Sequence, residues 1–369
     1  MDHSLFLHKD PSLSSFLPSA VKKPWAPHVF TPSSSPSNFT FTHRRPLRTG
    51  FASTDFNNRK VTSVKASAGA SHCDFSSLNA PLELRSAPGK FLTSVLQNQR
   101  QFFHFAAANE LKQLAGDRDT AVGRMFLSSD SDEACLHRRI AQLKEHECQA
   151  AVEDVMYMLI FYKFSEIRVP LVPKLSRCIY NGRLEILPPK DWELESIHSI
   201  EVLKMVREHV STVIGLRANS SVTDNWATTE ILRLQLGQVY ASSILYGYFL
   251  KSASSRHQLE RCLSLALQDG LGPGRQEKNL EELKYYVMGF DPETLQRCAK
   301  LKSKEAVNLI EKHCCALFGD EHTGMLETDE VILTSFSSLK RLVLEALAFG
   351  SFLWDIEEYV DTVYKLKDN

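Results

Sequence analysis

Apolar residues recur at helical spacing along most of the chain. They predict helices near 90–114, 133–165, 194–213, 226–251, 254–267, 279–288, 292–318, 334–349 and 350–365. The clearest is 133–165, where Leu136, Ile140, Leu143, Ala151, Val155 and Met158 fall on one apolar stripe. Its start is acidic (Asp130, Asp132, Glu133), which suits a helix N-terminus, and Pro170 and Pro173 mark its exit. Only Ile179 to Leu187, around Asn181-Gly182, has the pattern of a β-hairpin. The expected fold is an all-α helical bundle with at most a token β-hairpin.

The pattern also repeats. Ser199–Gly215 (SIEVLKMVREHVSTVIG) aligns with Ser303–Gly319 (SKEAVNLIEKHCCALFG), sharing Ser, Glu, His and Gly at 199/303, 201/305, 209/313 and 215/319. Further on, Gly247-Tyr248-Phe249-Leu250 answers Gly350-Ser351-Phe352-Leu353, with Leu236, Val239 and Ile244 matching Leu339, Leu342 and Leu347. Two blocks in one order, displaced by 104 and then 103 residues, imply an internal duplication. The expected organisation is a first repeat at 89–268 carrying inserted helices at 116–190, a Gly-rich connector at 269–278 and a second repeat at 279–369. Each shared residue has a structural explanation. Gly215 and Gly319 suit the left-handed position after a helix. His209 and His313 in the penultimate turn suit the helix dipole. Gly247 and Gly350 let another helix approach closely.

Composition changes the picture at the N-terminus. Residues 1–66 hold 11 Ser, 6 Thr and no Glu, with nine basic against three acidic residues, a net +6. A Ser-rich, basic, Pro-broken segment without a continuous apolar stretch reads as a chloroplast transit peptide, cut near Ala66 and followed by a linker over 67–88. The remaining 303 residues carry 34 basic against 41 acidic residues, a net −7, so no basic field invites nucleic acid. No run of 18 clean apolar residues predicts a membrane span. Leu234–Leu250 has 17 uncharged residues, but its glutamines, serines and tyrosines fit a buried helix better than a span.

Chemistry is sparse. The eight cysteines form no Cys-x-x-Cys pair, and Cys314 and Cys315 lie about 100° apart on a helix, so they cannot share one site with His313. Glu195-x-x-His198 has the spacing of a di-iron ligand pair but lacks the second such pair the site needs. Gly270-Leu-Gly-Pro-Gly274 follows a helix rather than a strand and has no Lys-Ser/Thr after it, so it reads as a connector. Asp355, Glu357, Glu358 and Asp361 crowd one helix and read as a solvated face. No catalytic, cofactor-binding or metal-ligating residue is assigned, and no cofactor is expected.

The second copy, from Asp291-Pro-Glu-Thr-Leu-Gln through Glu305, Gly319 and Gly350-Ser-Phe-Leu, resembles the domain-of-unknown-function family 760 of cyanobacteria and plastids. So does the first copy's Leu245-Tyr-Gly-Tyr-Phe-Leu-Lys, with Arg256-His-Gln-Leu-Glu260. With Leu136-His-Arg-Arg-Ile-Ala-Gln-Leu-Lys-Glu145 and Val169-Pro-Leu-Val-Pro-Lys174, residues 89–369 are similar to its plant UV-B-induced chloroplast members. The first copy has no clear Asp-Pro-Glu-Thr-Leu equivalent. The resemblance supports the plastid address and implies stress-linked expression; within the chloroplast the stroma is the expected compartment. It supplies no reaction or catalytic residue. Three readings follow. The favoured one is a non-catalytic helical module that binds other plastid proteins. The others are an enzyme or ligand carrier with a pocket between the repeats, and a peripheral thylakoid protein without a transmembrane segment.

Overall fold

The computed structural model describes residues 80–129, 132–215, 227–267, 282–319, 330–367 and 369, all within the compact unit Gly69–Asn369. The leader at 1–66, Cys73 and the connector at 269–278 lie outside the described residues. The fold is mostly helical. Its described elements are α1 (Ala87–Asn98), α2 (Phe103–Leu127), α3 (Ala134–Glu166), β1 (Ile179–Tyr180), β2 (Arg183–Leu184), α4 (Asp191–Glu195) and α5 (Ile200–Gly215). Then come β3 (Thr228–Leu232), α6 (Arg233–Leu267), α7 (Glu282–Met288), α8 (Pro292–Ala299), α9 (Lys304–Phe318), β4 (Val331–Ser335) and α10 (Phe336–Tyr364).

Local chemistry sets many of these ends. Ser86, Asp291, Ser303 and Ser335 each accept a backbone N–H three residues on, at 3.1, 3.2, 3.2 and 3.1 Å, and so start α1, α8, α9 and α10. Pro88 and Pro292 occupy first-turn positions, where a missing N–H costs nothing. Asn181 and Gly182 take φ of 52° and 73°, the two left-handed positions of a tight hairpin turn.

That hairpin is not isolated, which corrects the expected token strand pair. A four-stranded sheet has the order β1-β2-β4-β3, with β2 parallel to β4 and β3 antiparallel to β4 from Thr228↔Ser335 to Leu232↔Val331. Five-residue strands running straight into helices carry no readable period, and their partners lie some hundred residues away. The same cause moved the expected helix starts at 226 and 334 to Arg233 and Phe336.

The centre of the molecule is the crossing of α6 and α10. Thirteen successive residues of α10, Arg341 to Leu353, are buried, as required of a helix enclosed on all sides. The crossing is backbone on backbone. A Cβ on Gly247 would stand 2.1 Å from the Leu347 carbonyl oxygen, and one on Gly350 1.9 Å from that of Ile244. The close approach expected of these two glycines is therefore present. The expected helix breaks near 251–254 and 349–350 are not, because both helices run through unbroken. Gly215 and Gly319 also depart from expectation. Gly319 is extended (φ −66°, ψ 152°), and Gly182 is the one described glycine with positive φ. The predicted helix 90–114 is divided at Gln99, 194–213 at 196–199, and 292–318 at 300–303.

The stripe of α3 divides in a different way. Ala151, Val155 and Met158 are buried, whereas Leu136, Ile140 and Leu143 are 58, 44 and 50% exposed. The last turns of α2 pack against the first half of α3 as a hairpin, and the stripe lies on its exposed side. Phe126 and Leu127 at its tip are exposed as well.

Candidate functional site

Two charged residues sit inside the apolar run of α10. Arg341 and Glu345 stand one turn apart and are 1 and 0% exposed. Arg341 Nη1 lies 2.9 Å from Glu345 Oε2, and Nη2 donates to the Pro170 carbonyl at 2.8 Å. The Val172 N–H donates to both Glu345 oxygens at 3.2 and 3.1 Å, so the Pro170–Pro173 turn after α3 docks on this pair. Tyr240 of α6 donates its hydroxyl to Glu345 Oε1 at 3.2 Å, and the Tyr240 hydroxyl oxygen itself lies 3.0 Å from His313 Nε2 of α9. With the tyrosine proton on Glu345, the imidazole must supply the Nε2 proton, leaving Nδ1 a buried acceptor without a partner.

Burial dominates the electrostatics. It drives His313 down to about 3, so the ring is neutral, and it stacks on Phe349 at 4.4 Å between centroids. Burial raises the Glu345 carboxyl, opposed by Arg341, and raises the Tyr240 hydroxyl well above its ordinary value. His209 is likewise lowered by burial and bonds Ser243 Oγ at 3.0 Å. Neither histidine is the charged helix-dipole partner the sequence suggested, because desolvation outweighs the dipole.

A second buried carboxylate lies further along α10. Glu357 accepts from the Tyr248 hydroxyl at 2.5 Å, and from Ser303 N and Oγ at 2.6 and 2.5 Å. It is 1% exposed. The acidic run is therefore not a solvated face throughout. Glu358 and Asp361 are exposed, Asp355 pairs with Lys251 at 3.2 Å, and Glu357 ties the start of α9 to the α6–α10 crossing.

A carboxylate, a tyrosine and a histidine in one hydrogen-bonded row are the residue types of acid–base catalysis. Here each is spent on another, and each is closed to solvent. A groove of about 550 Å³ between residues 80–84, α1 and α3 approaches through Tyr157, whose ring lies 5.8 Å from His313. Glu345, Arg341, Tyr240 and His313 do not line it. Elsewhere, Glu195 accepts from Arg207 at 2.6 Å, and His257 sits between Glu201 and Glu282 at 3.9 and 3.8 Å. Burial pushes the Cys314 thiol up to about 12, while Cys315 is exposed, as their positions around one helix require. Among the described residues no group of three or more His, Cys, Asp or Glu is arranged to hold a metal ion, and no helix is long and apolar enough to cross a membrane. The network escaped the sequence reading. Its one legible signal was an Arg and a Glu at i, i+4 inside the apolar run that becomes α10.

The fold and this interior define a mostly helical protein whose buried polar groups bond one element to another. The family model "Protein of unknown function (DUF760)" matches residues 135–263 and 282–361, and the chain belongs to this family. A UV-B-induced, chloroplastic protein of Arabidopsis thaliana is 37% identical over 329 residues, covering 77% of each chain. No solved structure matches.

Proposed function

We propose that this is a chloroplast protein of the UV-B and stress response, working as a non-catalytic helical scaffold that binds other chloroplast proteins. The observation that carries the reading is the exposed stripe Leu136, Ile140 and Leu143 on the α2–α3 hairpin. The chemically capable residues, by contrast, are consumed in the interior. The chloroplast address rests on the transit-like segment 1–66 and on the chloroplastic relative. The stroma fits a chain whose described helices include no span.

The scaffold is read as two divergent copies related by an internal two-fold axis. Three observations support this. The central strand pair, Glu230↔Leu333, spans the same 103 residues that separate Gly247 from Gly350. The helices α6 and α10 begin at Arg233 and Phe336, again 103 apart. The contact of Gly247 with Leu347 becomes that of Gly350 with Ile244 when the copies are exchanged. On this reading the copies span 89–268 and 279–369, and the hairpin belongs to an insertion at 116–190 in the first.

Native mass spectrometry of tagged protein recovered gently from chloroplasts tests the function. A stoichiometric protein complex that disappears in a Leu136→Asp/Leu143→Asp variant is expected. A bound small molecule on an otherwise lone chain would overturn the reading in favour of a ligand carrier. Recovery from washed thylakoids alone would favour a peripheral membrane protein.

A further inference from the structure

The stripe on α3 has ends. Five residues at alternating spacings of three and four, Glu133 at the N-cap and Leu136, Ile140, Leu143 and Glu147 within the helix, follow one line, three apolar residues closed by a carboxylate at each end. Glu133 and Glu147 are 73 and 70% exposed. The same line continues through Asp154 and Met158, and there α1 lies on it. Gly89 sits against the Asp154 side chain, and Thr93 Oγ1 contacts Met158 Sδ at 3.6 Å. Helix α1 begins at Ala87, so the line is helix-covered in its second half, and among the described residues no helix covers its first.

We propose that this bare half seats a basic amphipathic helix of another protein, extending the packing that α1 begins. This rests on the reading of the chain as a protein-binding scaffold. The occupant must carry apolar residues at three- and four-residue spacing, flanked by Lys or Arg about 21 Å apart, the rise of fourteen helical residues. The charges select against the other occupants. Antiparallel pairing of the line with a second copy places Glu133 beside Glu147 of its mate, and parallel pairing sets each glutamate against its own counterpart. An anionic bilayer meets a carboxylate at both ends of the apolar line. The neighbouring charges leave this selection in place. Lys144 is held by Asp117 at 3.1 Å and lies 3.8 Å from Glu147, His137 lies 3.5 Å from Glu133, and Arg139 stands a quarter turn away.

The test uses the full chain and two synthetic 21-residue helical peptides sharing one apolar stripe, one with Lys and one with Glu fourteen residues apart, read by fluorescence anisotropy. The Lys peptide should bind, and should weaken about tenfold on an E133K/E147K variant while the Glu peptide gains. Binding should vanish in Ile140→Asp with the thermal midpoint unchanged, since the site is on the surface. Equal binding of both peptides, or of neither, overturns the proposal. So does a concentration-dependent dimer in sedimentation that Ile140→Asp abolishes, or capture of the chain by phosphatidylglycerol vesicles. A photo-crosslinker at position 140 separates the two levels of argument. Crosslinking to another chloroplast protein with unchanged yield in E133K/E147K keeps the scaffold reading and sinks the basic-helix inference; no crosslink to any protein sinks both.

Discussion

The crossing of α6 and α10 and the α2–α3 hairpin are built from the same kinds of residue and end in opposite states. Both have glycines within helices. At the crossing, Gly247 and Gly350 leave no room for even a methyl group, whereas around Gly116 and Gly123 in α2 nothing stands within 4 Å of a Cβ. Both have apolar lines flanked by carboxylates. Along α10 the line is buried and its glutamates are bonded inside, while along the first half of α3 the line and its glutamates face water. The difference teaches that what the neighbours enclose, not the residue types, decides which apolar line becomes core and which stays at the surface.

The largest expected effect comes from breaking the buried pair. Glu345→Leu leaves the Arg341 guanidinium buried without its counter-charge and should cost about 4 kcal/mol in urea unfolding. Replacing both, as Arg341→Met with Glu345→Leu, should recover most of that loss, which would show that the pair confers specificity of packing more than net stability.

Next in size is Gly350→Ala. Its methyl group would meet the Ile244 carbonyl and the Tyr248 N–H, neither of which can move without separating the helices, and about 3 kcal/mol should be lost. A change below about 0.5 kcal/mol would mean the crossing is not the close contact described.

Acid sharpens the comparison further. The folded His313 ring takes a proton only near pH 3, whereas an unfolded histidine takes one near 6.5. A depressed folded value means the stabilisation is full above pH 6.5 and is lost as pH falls from there toward 3. Between pH 7 and 5 the wild type should therefore lose about 2 kcal/mol more than a His313→Asn variant, measured by urea midpoints across that range. Equal losses would mean that the ring is open to protons in the folded state.

The smallest effect has the opposite sign. Gly123→Ala in the hairpin should raise stability by about 0.7 kcal/mol, because the added methyl meets nothing and the unfolded chain loses freedom. A loss there would mean that the hairpin is packed against something at that point.

Much of the helical fold was legible because apolar spacing and capping residues are local. Ser86, Asp291, Ser303 and Ser335 act within four residues of themselves, and the hairpin turn needs only Asn181 and Gly182. The close approach at Gly247 and Gly350 was also visible, since a glycine inside an apolar helix asks for a reason. The candidate site was not. Glu345 reads as an ordinary helix residue until Val172 and Tyr240 converge on it from 173 and 105 residues away in the chain, with His313 behind Tyr240. Glu357 reads as one of four surface acids until Tyr248 and Ser303 enclose it.

By itself the sequence determined that most of the chain is helical, the tight hairpin, the two glycine contacts and the family, because these depend on residue type and short-range spacing. Tertiary structure alone decided which carboxylates are buried, which histidines are neutral, that four short strands join in one sheet, and that half of the α3 stripe is left uncovered. Those are properties of neighbours. Desolvation and pairing depend on what the rest of the chain brings alongside a residue, and no local period records that.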